Sequence, residues 1–361
     1  MIKIIKGYIY KYSIPLSVTI ICIYALFLRL IVLYRHTLWT DEIYYLGPLK
    51  GTFLEFIREI PKAEFCSYLS GDLFIFFPFF KIFAYNKWAL ATPCIISTVA
   101  GFYLLYLICK IYFRSIWAYL ITFCIVCFNA SLIVHATEIR TYAFLPTLAL
   151  ATFYLLKKLA DLNFELSTVK RIWATIFFVL VIWFHVYGVL MFGSCLLFVL
   201  IAEYKNKNFR IFLKNAIYFA VIVLCSAMPL WLYSVLGPHL SYTQFNINPF
   251  DFIPSPWQNF SGFLKGIFGN LIGFKKLYIF LLGTIVPVFF SYENRFKQLF
   301  FLILIILFPI GVIFIFDLLQ KYWFIQRQFV WVMPFYAFFL GWCWESLFFI
   351  FKERVLLWKI K

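Results

Sequence analysis

Apolar segments of about 20 residues, the length an α-helix needs to cross a bilayer, recur along this chain. "SIPLSVTIICIYALFL", residues 13–28, holds no Asp, Glu, Lys or Arg, and neither does the run from 176 to 202 around "WFHVYG". In lipid each unpaired backbone N–H or C=O costs several kcal/mol, so such a segment closes its hydrogen bonds inside a helix or joins a closed barrel. Barrel strands alternate over about ten residues; these runs do not, and they read as helices. Composition agrees: of 361 residues, 65% are hydrophobic and 13% charged, with a mean hydropathy of +0.92, which no soluble domain with a polar surface satisfies. The expected fold is all-α, one polytopic membrane domain over residues 1–361.

Ten spans are expected, at 13–34, 90–109, 115–134, 141–156, 172–184, 186–203, 214–236, 277–291, 297–317 and 329–351. The fifth and sixth share one apolar run, too long for one span and short for two, so two short helices meeting at His185 are predicted. The N-terminal "MIKIIKGYIYKY" feeds a run too long for a signal-peptide core and lacks a cleavage pattern, so it reads as a retained first span. Nine cysteines, nearly all in predicted spans, make a disulfide framework an unsuitable reading, and Cys124-x-x-Cys127 reads as buried apolar residues.

The net charge of +17 raises the question of nucleic acid. Lys and Arg sit in short clusters between apolar runs, which the positive-inside rule explains, so no nucleic-acid partner is expected. With the N-terminus cytoplasmic, 19 of the 32 basic residues fall in inside loops, and every inside loop is basic. Both termini are therefore expected inside a cell (plasma or inner) membrane, with the active side outward.

Two outer loops are long. In the first, 35–89, "GTFLEFIREIP" places Phe53, Leu54, Phe56, Ile57 and Ile60 on one helical face, with Thr52 and Glu55 spaced as a capping box. It reads as a helix lying on the membrane surface, followed by a second interfacial segment at 71–87. The second long loop, 237–276, carries four prolines and reads as a lid.

This topology sorts the unusual polar residues. Asp41 and Glu42 in "LWTDEIYYL", Glu138, Arg140 and Tyr142 in "HATEIRTYAF", His185 and Tyr187, and Asp317, Lys321 and Arg327 before the last span all fall on the outer side. Each has a plain structural reading: a solvated loop or helix cap for Asp41 and Glu42, an ion pair for Glu138 and Arg140, an interfacial histidine, a snorkelling arginine. Their common side is what points to a site.

The acidic pair, the E-x-R-x-Y run, the polar residue in "FHVYG" and the arginine of "RQFVWVMPFYAFFLGW" resemble, in order and spacing, the C-type (GT-C) integral membrane glycosyltransferases. The similarity is to the branch of protein O-mannosyltransferases and lipid A aminoarabinose transferases. The resemblance implies a polyprenyl-phosphate-sugar donor, an active site on the outer face, interfacial helices in the first loop and a catalytic aspartate, which maps to Asp41. The chain departs from the pattern at Gln328-Phe329, where relatives often have Arg-Tyr, at His185, where some have lysine, and in having no soluble domain after the last span. The acceptor, a lipid, glycan or protein, is then expected to be recognised by the outer loops.

Transfer from such a donor needs a base and cations for the departing phosphate. Asp41 is the expected base with Glu42 beside it, and inversion at the anomeric carbon follows from direct displacement. Glu138, Arg140, Tyr142, His185, Lys321 and Arg327 are the candidates for holding donor phosphate and sugar. Glu42 and His185 are the alternative candidates for holding a divalent metal cation, although one histidine with scattered acids is a thin ligand set. Two competing classes are a transporter or flippase of lipid-linked sugars, which places ionisable groups near the midplane, and a structural membrane protein.

Overall fold

The computed structural model of the chain describes residues 2–38, 40–59, 71–162, 166–185, 187–205, 208–236, 295–320 and 326–358. The described residues are helical, with no strand among them. In chain order the helices are α1 (Ile2–Arg35), α2 (Thr40–Tyr45), α3 (Phe53–Glu59), α4 (Gly71–Phe83), α5 (Lys87–Tyr112), α6 (Ile116–Phe128), α7 (Ala130–His135), α8 (Leu145–Asp161), α9 (Thr168–Phe184), α10 (Gly188–Ala202), α11 (Phe209–Leu236), α12 (Arg295–Phe301), α13 (Phe308–Gln320) and α14 (Met333–Trp358). A π-helical turn, Leu302–Leu307, joins α12 to α13, and 3₁₀ turns occupy Gly47–Lys50, Thr141–Ala143 and Gln326–Phe329.

Four helical stretches are long and apolar enough to cross a membrane: Tyr12–Arg35, Lys87–Tyr112, Phe209–Pro229 and Arg295–Ile315. The expected span at 277–291 and the lid-like loop 237–276 lie outside the described residues, as does Lys321. The expected span at 115–134 is interrupted. Asn129 is extended, closing α6 and capping α7 by accepting the Leu132 amide at 3.0 Å, so its short polar side chain diverts the backbone from the helix. The run around "WFHVYG" is likewise divided, because α9 ends at Phe184, His185 is extended and α10 begins at Gly188.

α14 packs on α6, α8 lies between α5 and α10, α1 packs on α6, and α11 on α9. The main core is aromatic: Phe301 meets Phe153, Phe198 and Phe338 at ring separations of 5.1–5.8 Å. A second, smaller core joins Tyr45, Leu46, Leu49, Phe56, Leu73 and Phe76 to Leu90, Ile139 and Phe144. That core binds the loop of residues 35–89 to one end of α5 and to the turn before α8.

Within this loop, the Thr52 amide donates to Glu55 Oε2 at 2.6 Å and the Glu55 amide to Thr52 Oγ1 at 3.4 Å, the reciprocal capping box its spacing predicts. Among the described residues of this apolar face, Phe56 is the buried one, against Phe74 and Phe77 at 5.1 and 4.8 Å. Burying one phenylalanine contributes about 1.5–3 kcal/mol, which secures α3 to α4. Phe53, Leu54 and Ile57 stay exposed.

Candidate functional site

The end of α1 is held by Lys87 at the start of α5. Its Nζ donates to the Tyr34 carbonyl at 2.8 Å and to the His36 carbonyl at 2.7 Å, satisfying groups that a helix C-terminus leaves without partners. His36, so placed, pairs through Nε2 with Glu42 Oε2 at 2.8 Å. The other Glu42 oxygen accepts the Ile139 amide, also at 2.8 Å, and the carboxylate is fully buried. An uncompensated buried charge costs several kcal/mol; here each oxygen has a partner.

Ile139 is the buried residue between Glu138 and Arg140. Ile139 is packed in the small core, while Glu138 reaches His135 and Arg140 lies over the rings of Tyr45 and Tyr142. Glu138 Oε2 pairs with His135 Nδ1 at 2.9 Å. Burial pushes the Glu138 carboxyl up, but the His135 bond and the charges of His135, Arg140 and Arg327 outweigh it and hold it below the ordinary glutamate range. Glu138 is therefore an anion at neutral pH.

Tyr142 gathers the cations. The Arg327 guanidinium lies 5.5 Å and that of Arg140 6.0 Å from its ring centre, and Arg140 also stands 5.9 Å from the Tyr45 ring. His135 and His185 approach the Tyr142 ring at 6.2 and 5.9 Å. His185 is buried, and burial pushes its imidazole down to about 3. The Tyr187 amide donates to its Nδ1 at 3.2 Å, which leaves the ring proton on Nε2. His185 thus offers a neutral hydrogen-bond donor and no charge.

A third carboxylate, Asp72, completes the cluster. It is fully buried, and Tyr45 Oη donates to its Oδ2 at 2.5 Å. Burial pushes Asp72 up to about 6, against the opposing hydrogen bonds of Tyr45 and Thr141 and of the first amides of α4. The Cys94 thiol donates to the Glu138 carbonyl at 3.4 Å.

Glu42, Glu138, Arg140, Tyr142, His185 and Arg327 thus come together at one end of the bundle. Asp41 precedes Glu42 in α2, and its side chain lies outside what is described. Sequence reasoning passed over His36, Tyr45, Asp72 and the pairing role of His135. Asp72 carried a signal, as the sole acid in the apolar segment "GDLFIFFPFFKIF"; the others gave none apart from adjacency to the motifs. Of the two candidates for a divalent cation, Glu42 engages His36 and the Ile139 amide and His185 lies against Tyr142; among the described residues no three His, Cys, Asp or Glu side chains converge. Buried carboxylates beside two guanidiniums can bind a polar, hydroxyl-rich group next to an anionic one. No family model, no curated protein and no solved structure matches this chain.

Proposed function

We propose that this chain is a membrane glycosyltransferase that moves a sugar from a polyprenyl-phosphate donor to a lipid, glycan or protein acceptor at the outer face of the cell membrane. The observation that carries the reading is the Glu42–Ile139 hydrogen bond, which holds the acidic pair of the first loop against the E-x-R-x-Y segment and its arginines. In this reading α3 and α4 lie on the membrane surface through the exposed Phe53, Leu54 and Ile57. The remaining apolar helices complete ten spans with both termini cytoplasmic.

Glu42 has both oxygens engaged, so it is the positioning residue and Asp41 the base. Asp41 takes the proton of the acceptor hydroxyl or amine as the acceptor atom bonds to the anomeric carbon. The bond from that carbon to the phosphate oxygen breaks, and polyprenyl phosphate leaves with the electron pair, inverting the centre. General-base help of this kind is worth roughly 10²- to 10⁴-fold. Arg140 and Arg327 balance the charge left on the phosphate, which a guanidinium fork suits and to which it keeps its own charge at any working pH. Glu138 orients Arg140 or takes a sugar hydroxyl, and His185 adds an uncharged donor.

The test is Asp41→Asn in the purified protein and in a deletion strain. Insertion and thermal stability should match the parent while transfer is lost and the lipid-linked donor accumulates; near-normal transfer sinks the assignment. A flippase is the second reading, favoured by the buried intramembrane Arg29, and it predicts that donor crosses liposome membranes without being consumed when acceptor is supplied.

A further inference from the structure

We propose that a cavity walled by Arg29 of α1 binds a phosphate group. The cavity measures about 40 Å³ and lies between α1, α5, α6, the start of α8 and the start of α14, with Arg29, Phe102, Val126, His135, Tyr142 and Pro334 in its wall. A single water needs about 10–15 Å³ on this scale, so the space is large enough for a small tetrahedral anion.

Arg29 is the reason to expect an anion there. An arginine six residues from a helix end, roughly 9 Å by helical rise, ordinarily extends its head toward the interface. This one is turned inward and is only 1% exposed. Its Nη1 donates to the Ala25 carbonyl at 3.0 Å and the Cys127 carbonyl at 3.3 Å, and its guanidinium stands 5.1 Å from the Phe102 ring centre. Nε is buried without a hydrogen-bond partner, and among the described residues Arg29 has no carboxylate at ion-pair distance. Carbonyls and a ring solvate the group but leave its charge unbalanced. A buried arginine inside a span ordinarily pairs with a group that balances its charge, and a bound anion would do so through charge-assisted hydrogen bonds.

Phosphate fits better than a spherical ion. The guanidinium fork matches paired oxygens, and the wall also carries His135 and Tyr142, the residues through which the cavity adjoins Glu138, Arg140 and Arg327. A lipid phosphate seated here would hold its sugar toward the carboxylates and its tail toward the bilayer. Identifying the phosphate as the donor's or the leaving lipid's rests on the transferase reading; the anion site itself stands on Arg29 and the cavity.

The experiment follows thermal unfolding of the purified protein in detergent with polyprenyl monophosphate, uncharged polyprenol, inorganic phosphate or sodium chloride. The parent should be stabilised saturably by polyprenyl monophosphate and not by polyprenol. Arg29→Gln and the cavity-filling Val126→Phe should each weaken the apparent affinity by about tenfold or more, with Arg29→Lys between. Should Arg29→Gln fail to fold, Val126→Phe and Arg29→Lys carry the comparison. If inorganic phosphate acts with the same Arg29 dependence, the group alone is recognised; if only the lipid form acts, the tail adds affinity, and both results support the site. Equal responses from the parent and the variants, a response to polyprenol equal to that of its phosphate, or a chloride response matching phosphate overturns it. Arg29-dependent binding without sugar transfer would remove the transferase reading and leave this site, whereas transfer with Arg29-independent binding would remove this site alone.

Discussion

The Ile139 amide donates a 2.8 Å hydrogen bond to Glu42 Oε1, and the opposite oxygen pairs with His36 at the same distance. Glu42 therefore stitches the end of α1 and the first loop to the segment carrying Glu138 and Arg140. Glu42→Ala strands a buried amide and a histidine together; leaving a single buried donor unsatisfied costs about 1–3 kcal/mol, and losing the paired charge adds to it. Glu42→Gln keeps an acceptor for Ile139, so its loss should be smaller. Thermal denaturation in detergent should rank parent, Gln and Ala in that order, and an Ala variant as stable as the parent would contradict the assignment.

Asp72 predicts a pH dependence of stability. Its carboxyl has an ordinary value of 3.8 and is held at about 6 in the folded chain, mainly by burial. The folded state thus binds more protons than the unfolded state between about pH 4 and pH 6. Stability from this residue is greatest below that window, falls as pH rises through it and is level above it. A shift from 3.8 to about 6, at 1.36 kcal/mol per unit, amounts to about 3 kcal/mol. Asp72→Asn, which keeps an acceptor for Tyr45, should flatten the profile between pH 4 and 6. An unchanged profile would show that Asp72 titrates normally.

The guanidiniums of Arg327 and Arg140 lie 5.5 and 6.0 Å from the Tyr142 ring centre. Tyr142→Phe retains the aromatic face that both guanidiniums use, and should leave donor affinity within a few fold. Tyr142→Leu removes that face, worth about 0.5–2 kcal/mol per cation, and should raise the KM for donor more than it lowers kcat. Arg327→Lys keeps the charge but loses the fork. In the proposed transferase, where Arg327 balances the phosphate, the loss compares with the roughly 2.7–4 kcal/mol that removing a well-aimed donor costs in characterised oxyanion sites, so kcat/KM should fall by two to three orders of magnitude. A Lys variant with parental kcat/KM would place the phosphate elsewhere.

Hydropathy made the all-helical membrane class legible, because long uncharged runs admit few other structures in lipid. The Thr52–Glu55 cap and the break at His185 were legible for a similar reason, since both are written in consecutive residues. The Asn129 break was not, because one polar residue in an apolar run is tolerated by most helices and only its cap geometry reveals the interruption. Of the site, loop topology could assign Glu42, Glu138, Arg140, Tyr142 and Arg327 to one side. It could not show that Glu42 bonds to Ile139, a backbone group 97 residues away, nor that Tyr45 donates to Asp72 Oδ2. Such contacts depend on how helices dock, which periodicity does not encode. The inward turn of Arg29 is hidden in the same way, since in sequence it resembles any arginine near the end of a span.

Docking of α14 on α6 depends on Gly341. A Cβ at this position would stand 2.8 Å from the Ala118 carbonyl oxygen and overlap the Thr122 hydroxyl, which itself donates to the Ala337 carbonyl at 3.4 Å. Small residues at such crossings let helix backbones approach where lipid gives no hydrophobic drive to associate. Gly341→Ala should therefore destabilise by about 1–3 kcal/mol, the usual cost of overpacking, and Gly341→Leu should prevent a stable fold. Thr122→Ala relieves the side-chain overlap but not the backbone one, so the Thr122→Ala, Gly341→Ala pair should recover part of the loss, a coupling of about 0.5–3 kcal/mol. Thermal unfolding of the two single variants and the double variant measures it. Strict additivity, or a Gly341→Ala variant as stable as the parent, would mean that the two helices separate at this crossing with little cost.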